Sequence, residues 1–491
     1  MKRQRLLEIL PGIIIWFILL FPLVGSLFIP RVVAYGLIAF YVYWLYRSLK
    51  ITVLGFLGYY EIKVAKEVDW KKKYVRNGKE DWLPWDQVHH VVIIPTAGEP
   101  LEKLHGNIDA LVNQTLDKDQ MTVVVALEER VSNSREVGRK LKARYSGEFA
   151  HFWTVFHPDG LEGEVIGKAS NEAWAAKEAK KRLLDEGYDL SNLTLTSCDA
   201  DGQFHPAYFS ALTYKFSSDP NRYHRFWQSP IVGYNNLWEV PALVRVVEIL
   251  SVTLNLANLR DPGQLIFNYS CYSASFLLIG SVGFWDTDII PEDWHIFLQT
   301  FFEHEGKVAV EPIYLPTSVD APESKGYWAT IQNRYKQCMR HAWGITDIPY
   351  AIKRSFNHPE IPFPVKFLRV FKLIESHVFW STNWFLITLG ASIPPLINPA
   401  FAQTCLGANL PRVSQAIFTL SLLGMLAIVV IDVALRPPRP DDIPWWAIPL
   451  NYLQWLLLPV ATLFMACLPA LHSHTRLMLG KYMEYHVTGE A

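Results

Sequence analysis

The sequence predicts an α/β domain with a largely parallel sheet, inserted between transmembrane helices. Half of the 491 residues are hydrophobic, whereas charged residues make up 19 % and lie mostly in the middle of the chain. In this middle part, short β-branched runs alternate with helical patterns, which is typical of parallel α/β sheets. Apolar segments near both ends are long enough to cross a bilayer. Together these observations predict a soluble domain held by membrane anchors.

Charge and cysteine content exclude some classes of protein. The formal net charge is -1 and no basic tail is present. Nucleic acid is therefore not expected as a partner, because neutralising its phosphates needs a basic surplus. The five cysteines are far apart in the chain, at Cys198, Cys271, Cys338, Cys405 and Cys467. They form neither a close-spaced zinc set nor a readable disulfide framework, so a reducing compartment is the simplest prediction for the central domain.

Residues 1–60 are predicted to form a transmembrane hairpin. At about 1.5 Å per residue, the apolar segment Pro11–Pro30 is long enough to cross the hydrocarbon core. A signal peptide is the alternative, but a second apolar segment, Val32–Tyr46, follows at once and no small-residue cleavage site is evident. This second helix is expected to end near Arg47, with Ile51–Tyr60 lying along the membrane interface. Basic residues at the start and at the exit favour the cytoplasmic side, so the next domain is predicted to be cytoplasmic.

Three apolar runs in the middle of the chain are predicted to be strands. Val91–Pro95 and Thr122–Leu127 are continuous and β-branched, as buried strands are, and the helical pattern of Leu101–Gln114 between them implies a parallel pair. A second helical stretch, Ala169–Glu186, leads to the run Leu193–Thr196. We expect this run to be the third strand of the same alternating pattern.

Two carboxylates, Asp199 and Asp201, follow the predicted third strand. Ligands of open α/β sheets bind at the carboxyl ends of the strands. At such an end, two acidic oxygens can share one hard divalent cation whose open positions bind a diphosphate. The alternative is a pair of solvated turn residues, which is the more common meaning of an isolated acidic pair.

The segments after this pair leave alternatives open. Leu243–Leu259 is apolar with few charges, and it is predicted either as an interfacial helix or as an ordinary core helix. Glu292 and Asp293 stand at the start of a predicted helix, His295–His304. The macrodipole favours carboxylates there, so helix capping alone would account for both of them.

A further helix is predicted over Tyr327–Gly344. Gln337, Arg340 and His341 fall on one face of it at three-to-four spacing, so their side chains could point together toward a pocket. The alternative is that the basic residues of this helix face solvent.

The chain is predicted to have four parts: the hairpin 1–60, the α/β domain 61–345, an interfacial helix region 346–372 and a C-terminal transmembrane region 373–491. Three apolar segments lie in the last region, at Leu373–Ile397, Val413–Leu435 and Trp445–Leu471. Basic residues before the first and after the second place both of those ends inside. The third span would leave Arg476 and Lys481 outside, against the rule, unless it is re-entrant, so the side of the C-terminus stays open.

Seven short motifs occur in order through the middle of the chain. They are Pro95-Thr96-Ala97-Gly98-Glu99, Glu128, Gly167-Lys168-Ala169-Ser170-Asn171, Asp199-Ala200-Asp201, Gln228-Ser229-Pro230, Pro291-Glu292-Asp293 and Gln337-Cys338-Met339-Arg340-His341-Ala342-Trp343-Gly344. On these motifs the chain resembles the membrane-embedded family 2 glycosyltransferases, the group that includes cellulose and hyaluronan synthases. The resemblance extends from about Val91 to Gly344, with flanking spans.

The resemblance implies a GT-A-type, Rossmann-like fold that moves a sugar, with inversion, from a nucleotide sugar to a glycan or lipid-linked acceptor at the cytoplasmic membrane face. A UDP-sugar is the favoured donor, and Mg²⁺ or Mn²⁺ is implied on its diphosphate, held by Asp199 and Asp201. Nucleotide contacts are implied for Thr96, Glu99, Glu128, Lys168, Asp199, Gln337 and Arg340. Asp293 is implied as the general base, and contacts with the acceptor are implied for Glu292, Trp294, His341 and Trp343.

Two residues depart from the family pattern. Glu128 replaces an Asp and can still accept a hydrogen bond from a base ring. His341 stands where processive synthases carry the Trp of Gln-x-x-Arg-Trp, and Trp343 follows two residues later. Polysaccharide synthesis is the leading expectation, and His341 gives weight to a non-processive enzyme that adds one sugar to a lipid carrier. A non-catalytic membrane scaffold or transporter subunit is the alternative from another class, but neither the acidic pair nor the base is lost here.

Overall fold

The computed structural model describes residues 2–261, 263, 265–438, 440–441 and 447–483. Its ten strands are β1 (His89–Thr96), β2 (Met121–Glu128), β3 (His151–His157), β4 (Leu193–Ser197), β5 (Gln203–Phe204), β6 (Arg225–Gln228), β7 (Ile231–Val232), β8 (Tyr272–Ser275), β9 (Ala309–Pro312) and β10 (Thr317–Ser318). Seven strands form one mixed sheet in the order β3-β2-β1-β4-β8-β6-β9, and a small second sheet has the order β5-β10-β7. In the large sheet only β8 runs antiparallel to its neighbours.

The helices fall into three groups along the chain. The N-terminal pair is α1 (Lys2–Phe28) and α2 (Pro30–Lys66). The central helices are α3 (Trp70–Asn77), α4 (Leu101–Val112), α5 (Ser134–Tyr145), α6 (Lys168–Asp185), α7 (Tyr208–Ser218), α8 (Ala242–Arg260), α9 (Phe276–Ser281), α10 (Glu292–Glu303), α11 (Tyr327–Ala342) and α12 (Asp347–Asn357). The C-terminal helices are α13 (Phe363–Thr388), α14 (Ile393–Ile397), α15 (Pro399–Ala402), α16 (Cys405–Ser421), α17 (Leu423–Leu435), α18 (Ala447–Leu453), α19 (Leu458–Thr462) and α20 (Leu468–Met478).

Successive residues of β1 point to opposite sides of the sheet and belong to two separate cores. Val91 and Ile93 lie in the core that contains the alanines of α6, whereas Val92 and Ile94 lie in the core that contains α4. Every residue of β1 and β2 is buried. Burial on both faces is the reason that these strands have continuous apolar sequences. Burying each Val or Ile side chain stabilises the domain by about 1.5–3 kcal/mol.

The prediction that the acidic pair follows the third strand is wrong by one strand. β3 pairs with β2 alone, at the edge of the sheet, and only three of its seven residues are buried. Such an edge strand lacks the continuous apolar run by which β1 and β2 were predicted. The acidic pair follows β4, which pairs with β1 in parallel. The carboxyl ends of β1, β2 and β4 therefore meet at one edge of the sheet, which we call the carboxyl edge.

Among the described residues, five helical segments are long and apolar enough to span a membrane: Gln4–Phe28, Pro30–Lys66, Ala242–Arg260, Cys405–Leu435 and Asn451–Met478. The third of them is α8, for which an interfacial or a core helix was expected. It is more buried than the others, with 56 % of its most apolar stretch inside the protein against 33 % or less elsewhere. Its packing is therefore close to that of a core helix.

The expected turn of the chain onto the interface at Ile51–Tyr60 is wrong, because α2 continues without a break to Lys66. At about 1.5 Å per residue it is about 55 Å long, which exceeds the roughly 30 Å of the hydrocarbon core. Gly58 of α2 faces α8, and a Cβ atom there would lie 2.9 Å from the carbonyl oxygen of Leu256. This close packing against α8 keeps the second half of α2 in line with the first.

The C-terminal region differs from its prediction in two places. The segment Leu373–Ile397 is not one span, because α13 ends at Thr388 and short helices with adjacent prolines follow. The last segment is helical in several joined pieces, with a π-helical turn at Leu463–Cys467. Its predicted start at Trp445 lies outside the described residues.

Candidate active site

The ammonium of Lys168 is the centre of a charged cluster at the carboxyl edge. Lys168 is the first residue of α6, and its side chain is only 12 % exposed. Its Nζ lies 2.8 Å from Asp199 Oδ1, 3.4 Å from Glu292 Oε1 and 3.5 Å from Asp293 Oδ1. Burial alone would lower the pKa of Lys168, but the negative charges around it raise that pKa well above its usual value. One permanent cation thus joins carboxylates from the β4 loop and from α10.

Asp199 is held in its ionised form. Its Oδ2 accepts a hydrogen bond of 2.5 Å from Ser270 Oγ, and its Oδ1 is the nearest partner of Lys168. Burial would raise the pKa of Asp199, but the charge and hydrogen bond of Lys168, the Ser270 hydroxyl and the charge of Arg340 together lower it. The side chain remains 30 % exposed, so its oxygens are open to a ligand.

Asp293 lies in the first turn of α10 but does not act as a helix cap. Its Oδ2 accepts a 2.7 Å hydrogen bond from the backbone N–H of Ser270, and its carbonyl oxygen accepts one of 2.8 Å from Asn268 Nδ2. Burial, with the negative charges of Glu292 and Asp199, raises the pKa of Asp293 to about 7. The Asp293 carboxylate therefore accepts a hydrogen bond from the loop before β8, and it can take up a proton near neutral pH.

Asp201, two residues after Asp199, has different partners. Its Oδ2 accepts a 2.8 Å hydrogen bond from the backbone N–H of Asp320, and its carbonyl oxygen accepts one of 3.0 Å from Asn235. It lines a cleft of about 310 Å³ together with Lys103, Asp320, Ala321, Pro322, Glu323, Asn333 and Gln337. We call this the acidic cleft.

The residues predicted to bind the base lie together at the ends of β1 and β2. Thr96, Glu99 and Glu128 line one cavity of about 200 Å³. Thr96 Oγ1 donates a 2.5 Å hydrogen bond to Glu99 Oε2. Glu128 is buried, and its Oε2 lies 3.3 Å from both Arg130 Nε and His157 Nδ1. Two neighbouring carboxyl groups with fixed partners can accept hydrogen bonds from a polar ligand in this cavity.

The predicted face of α11 contributes to both parts of the site. Gln337 lines the acidic cleft, where its Oε1 accepts a 2.6 Å hydrogen bond from Arg334. Arg334 in turn pairs with Glu248 of α8 at 3.1 Å. The charge of Arg340 acts on Asp199, and His341 is exposed.

The other residues predicted to contact an acceptor have different surroundings. Glu292 is close to Lys168 and only 12 % exposed. Trp294 stacks on Phe267, with ring centroids 4.8 Å apart. Trp343 is 4 % exposed and lies in the hydrophobic core.

Two residues of the cluster were absent from the predictions. Glu172 is fully buried one turn after Lys168, and its Oε1 accepts a 2.6 Å hydrogen bond from Ser197 Oγ. Burial, with the charge of Glu292, raises the pKa of Glu172 to about 8 although Lys168 opposes the shift. Its spacing of four residues from Lys168 was a usable signal. Ser270 carries no such signal, because its contacts depend on how a distant loop folds.

No family model and no curated protein matches the sequence. Among solved structures, the mannosyltransferase PcManGT from Pyrobaculum calidifontis, in complex with GDP-Man and Mn²⁺, is 15 % identical, over 82 % of this chain and 99 % of that one, with a TM-score of 0.44. A 1–349 fragment of S. aureus TarS in complex with UDP-GlcNAc is 11 % identical, over 72 % of this chain and 95 % of that one, with a TM-score of 0.33. Both TM-scores lie below 0.5, so no conclusion about this chain is taken from these likenesses.

Proposed function

We propose that the chain is a membrane-anchored, inverting glycosyltransferase that transfers a sugar from a nucleotide sugar to a hydroxyl group of a glycan or lipid-linked acceptor. One observation carries the proposal. Asp199 and Asp293 share Lys168 and Ser270 at the carboxyl edge, yet the pKa of Asp199 is lowered and that of Asp293 is raised to about 7. Two carboxyl groups driven apart in this way are suited to separate roles, one permanently ionised and one exchanging a proton.

Asp293 is the general base of the proposed reaction. It takes the proton of the acceptor hydroxyl while that oxygen forms a bond to the anomeric carbon of the donor sugar. The bond from the anomeric carbon to the diphosphate oxygen breaks in the same displacement, and the nucleoside diphosphate leaves with the electron pair. A single displacement inverts the anomeric configuration, and it needs no covalent nucleophile.

The nucleotide is proposed to bind at the ends of β1 and β2, beside the charged cluster. Thr96, Glu99 and Glu128 contact the base and ribose in the cavity that they line. Lys168 and Arg340 are positive groups beside Asp199, where they stabilise the charge that develops on the leaving diphosphate. A UDP-sugar remains the favoured donor.

A divalent ion fits this site if the diphosphate of the donor supplies some of its ligands. No group of three or more His, Cys, Asp and Glu side chains is arranged as a metal site in the described part of the chain. Mg²⁺ and Mn²⁺ are commonly held by one or two carboxylates plus substrate phosphates. Asp199 and Asp201 supply such a pair of hard oxygen ligands, and the ion would neutralise charge on the diphosphate.

The membrane segments are proposed to hold the domain at the cytoplasmic face. The apolar helical segments near both ends of the described chain support a multi-pass anchor. Basic residues before the first predicted span and at the exit of the second, Arg47 and Lys50, support the cytoplasmic orientation.

A non-processive transferase that adds one sugar to a lipid carrier is the second candidate. It is favoured by the surroundings of the predicted acceptor residues. His341 is exposed, whereas Trp343 is buried in the core and Trp294 stacks on Phe267. Trp343 therefore presents no open ring face to a growing polymer, and one ring face of Trp294 is covered by Phe267.

The test is a screen of nucleotide sugars with the purified full chain in detergent and Mn²⁺. Nucleotide release is measured, and the labelled product is sized to separate a polymer from a single adduct. Asp293→Asn should lower turnover by about 10²–10⁴-fold, which is the usual contribution of a general base. Nucleotide binding should be retained. Turnover of Asp293→Asn close to that of the wild type would contradict the proposed role of Asp293.

A further inference from the structure

Ser270 contacts three members of the charged cluster with three different groups. Its hydroxyl donates to Asp199 Oδ2 at 2.5 Å, and its backbone N–H donates to Asp293 Oδ2 at 2.7 Å. Its carbonyl oxygen accepts a 3.2 Å hydrogen bond from Lys168 Nζ. One residue therefore joins the ionised carboxylate, the proposed base and the shared cation.

These three contacts require an unusual backbone conformation. Ser270 has a φ angle of +57°, in the left-handed region that non-glycine residues seldom adopt. This region costs roughly 1–3 kcal/mol unless the surroundings impose it, and such residues cluster at functional sites. In an extended conformation the N–H, carbonyl and hydroxyl groups of Ser270 would not reach the same cluster.

The conformation of Ser270 is imposed by Gln228, a fully buried residue of β6. Gln228 Oε1 accepts a 2.9 Å hydrogen bond from the N–H of Tyr269, and its Nε2 donates to the carbonyl oxygens of Tyr269 at 3.2 Å and Cys271 at 3.1 Å. The amide thus fixes the residues on both sides of Ser270. The loop is also held at its start, where Arg369 donates a 3.0 Å hydrogen bond to the carbonyl oxygen of Ile266.

We propose that Ser270 is a positioning residue of the proposed transferase, which sets Asp199, Asp293 and Lys168 in one arrangement, and that Gln228 imposes the backbone that makes this possible. The inference rests on the proposed function. It assigns a role to Gln228 of the Gln228-Ser229-Pro230 motif. Gln228 acts on the charged cluster through the backbone on both sides of Ser270. It also explains why a serine in the left-handed region is present where glycine would be easier to accommodate, since glycine lacks the hydroxyl.

Ser270→Ala and Ser270→Gly test the inference in the full chain in detergent. Both remove the hydroxyl, but only glycine adopts the left-handed conformation without cost. Mn²⁺-dependent binding of UDP and of GDP is measured by calorimetry, nucleotide release gives kcat, and melting gives Tm. We expect both variants to raise the half-saturating Mn²⁺ concentration about tenfold, as the loss of one hydrogen bond to a charged group would do. Ser270→Gly should melt at a higher temperature than Ser270→Ala while losing function equally.

Ser273→Ala is the matched control, because it removes a buried hydroxyl of β8 that contacts Thr196 and Tyr208 and not the cluster. We expect it to lower Tm and to leave the half-saturating Mn²⁺ concentration within twofold. Gln228→Met should reproduce the loss of function of Ser270→Ala without altering any residue of the cluster.

The outcomes separate this inference from the function on which it rests. If wild-type protein binds neither nucleotide and releases none from any nucleotide sugar, the proposed function fails and the role of Ser270 fails with it. If wild type is active and Ser270→Gly matches it in kcat and in Mn²⁺ half-saturation, the proposed function stands and the positioning role is overturned. Equal functional losses in Ser273→Ala and Ser270→Ala would also overturn that role. If Ser270→Ala does not fold, Ser270→Gly decides.

Discussion

Asp199 and Asp201 are one residue apart, yet their carboxylates lie in two different environments. Asp199 faces the charged cluster, where Lys168 and Ser270 hold it at 2.8 Å and 2.5 Å. Asp201 faces the acidic cleft, where it accepts a hydrogen bond from the backbone of Asp320. The two residues lie in a turn after β4, closed by a 2.8 Å hydrogen bond from the N–H of Gly202 to the carbonyl oxygen of Asp199, so strand alternation does not set the directions of their side chains.

The different environments of Asp199 and Asp201 indicate two different functions at the end of β4. On the cluster side, burial raises the pKa values of Asp293 and Glu172, and Lys168 with Ser270 lowers that of Asp199. On the cleft side, Asp201 accepts a hydrogen bond from the backbone of Asp320, Asp320 pairs with Lys103, and Gln337 accepts a hydrogen bond from Arg334 around the cleft. The site therefore combines a preorganised electrostatic centre with a binding surface beside it.

The largest expected effect distinguishes the two carboxylates directly. Asp199→Asn should lower turnover by about 10²–10³-fold, because it removes a negative charge next to Lys168 that the proposed donor site requires. Asp201→Asn should cost about tenfold, since an amide oxygen can still accept the hydrogen bond from Asp320 and still offers a neutral oxygen ligand to the proposed ion. Steady-state kinetics on both isosteric variants, with Tm as the check on folding, measures the difference. An equal or larger loss in Asp201→Asn would contradict the separation of roles.

The second comparison is between the stability losses expected on replacing Lys168, in the charged cluster, and Lys103, in the acidic cleft. Lys168→Met leaves three carboxylates at 2.8–3.5 Å without their cation. Breaking a buried ion pair costs about 3–5 kcal/mol, and the 12–30 % exposure of these carboxylates favours the lower end. Lys103→Met should cost less, because the side chain of Lys103, which pairs with Asp320 at 2.9 Å, is 25 % exposed against 12 % for Lys168. The two variants are compared by thermal melting in detergent, and the reverse order would refute the buried cluster as the stability centre.

The third prediction uses the raised pKa of Asp293, about 7. Only the ionised form can accept a proton, so kcat should fall about tenfold for each pH unit below 7. Glu292→Gln removes a charge that raises the pKa of Asp293, so the acid limb of the profile should move to lower pH. Asp320→Asn, on the cleft side, is the control. A profile that does not move in Glu292→Gln would place the titrating group elsewhere.

The sequence predicted the buried strands and most of the site residues better than it predicted the contacts between them. β1 and β2 contain continuous apolar stretches because they are buried on both faces, and the residues after β1, β2 and β4 were predicted to meet at one edge. The edge strand β3 was missed because four of its seven residues are only partly buried and its sequence is not continuously apolar. Ser270 could not be predicted, since its role depends on a left-handed backbone that Gln228 fixes from a different strand.

The different partners of the Asp199 and Asp201 carboxylates were also beyond the sequence. The resemblance implied that both carboxylates hold one ion, and local spacing does not show which neighbours each one meets. Those neighbours come from distant segments: Lys168 and Ser270 for Asp199, and Asp320 for Asp201. Such contacts follow only from the fold of the whole domain.

The smallest expected effect concerns Glu172, beneath the charged cluster. Its pKa is about 8 in the folded protein against an ordinary value of 4.5, with burial as the main cause. Between these two pH values the folded protein keeps a proton that the unfolded chain has released, so wild-type stability falls as pH rises through this window. Glu172→Gln cannot titrate and should escape that loss. Its Tm relative to wild type should therefore rise by a few degrees from pH 5 to pH 8.

Glu178→Gln, on the same helix with a side chain that is 37 % exposed, is the matched control. A Tm difference that stays constant across the window would mean that Glu172 is ionised in the folded protein, and the cluster around Lys168 would then hold one more negative charge than we infer.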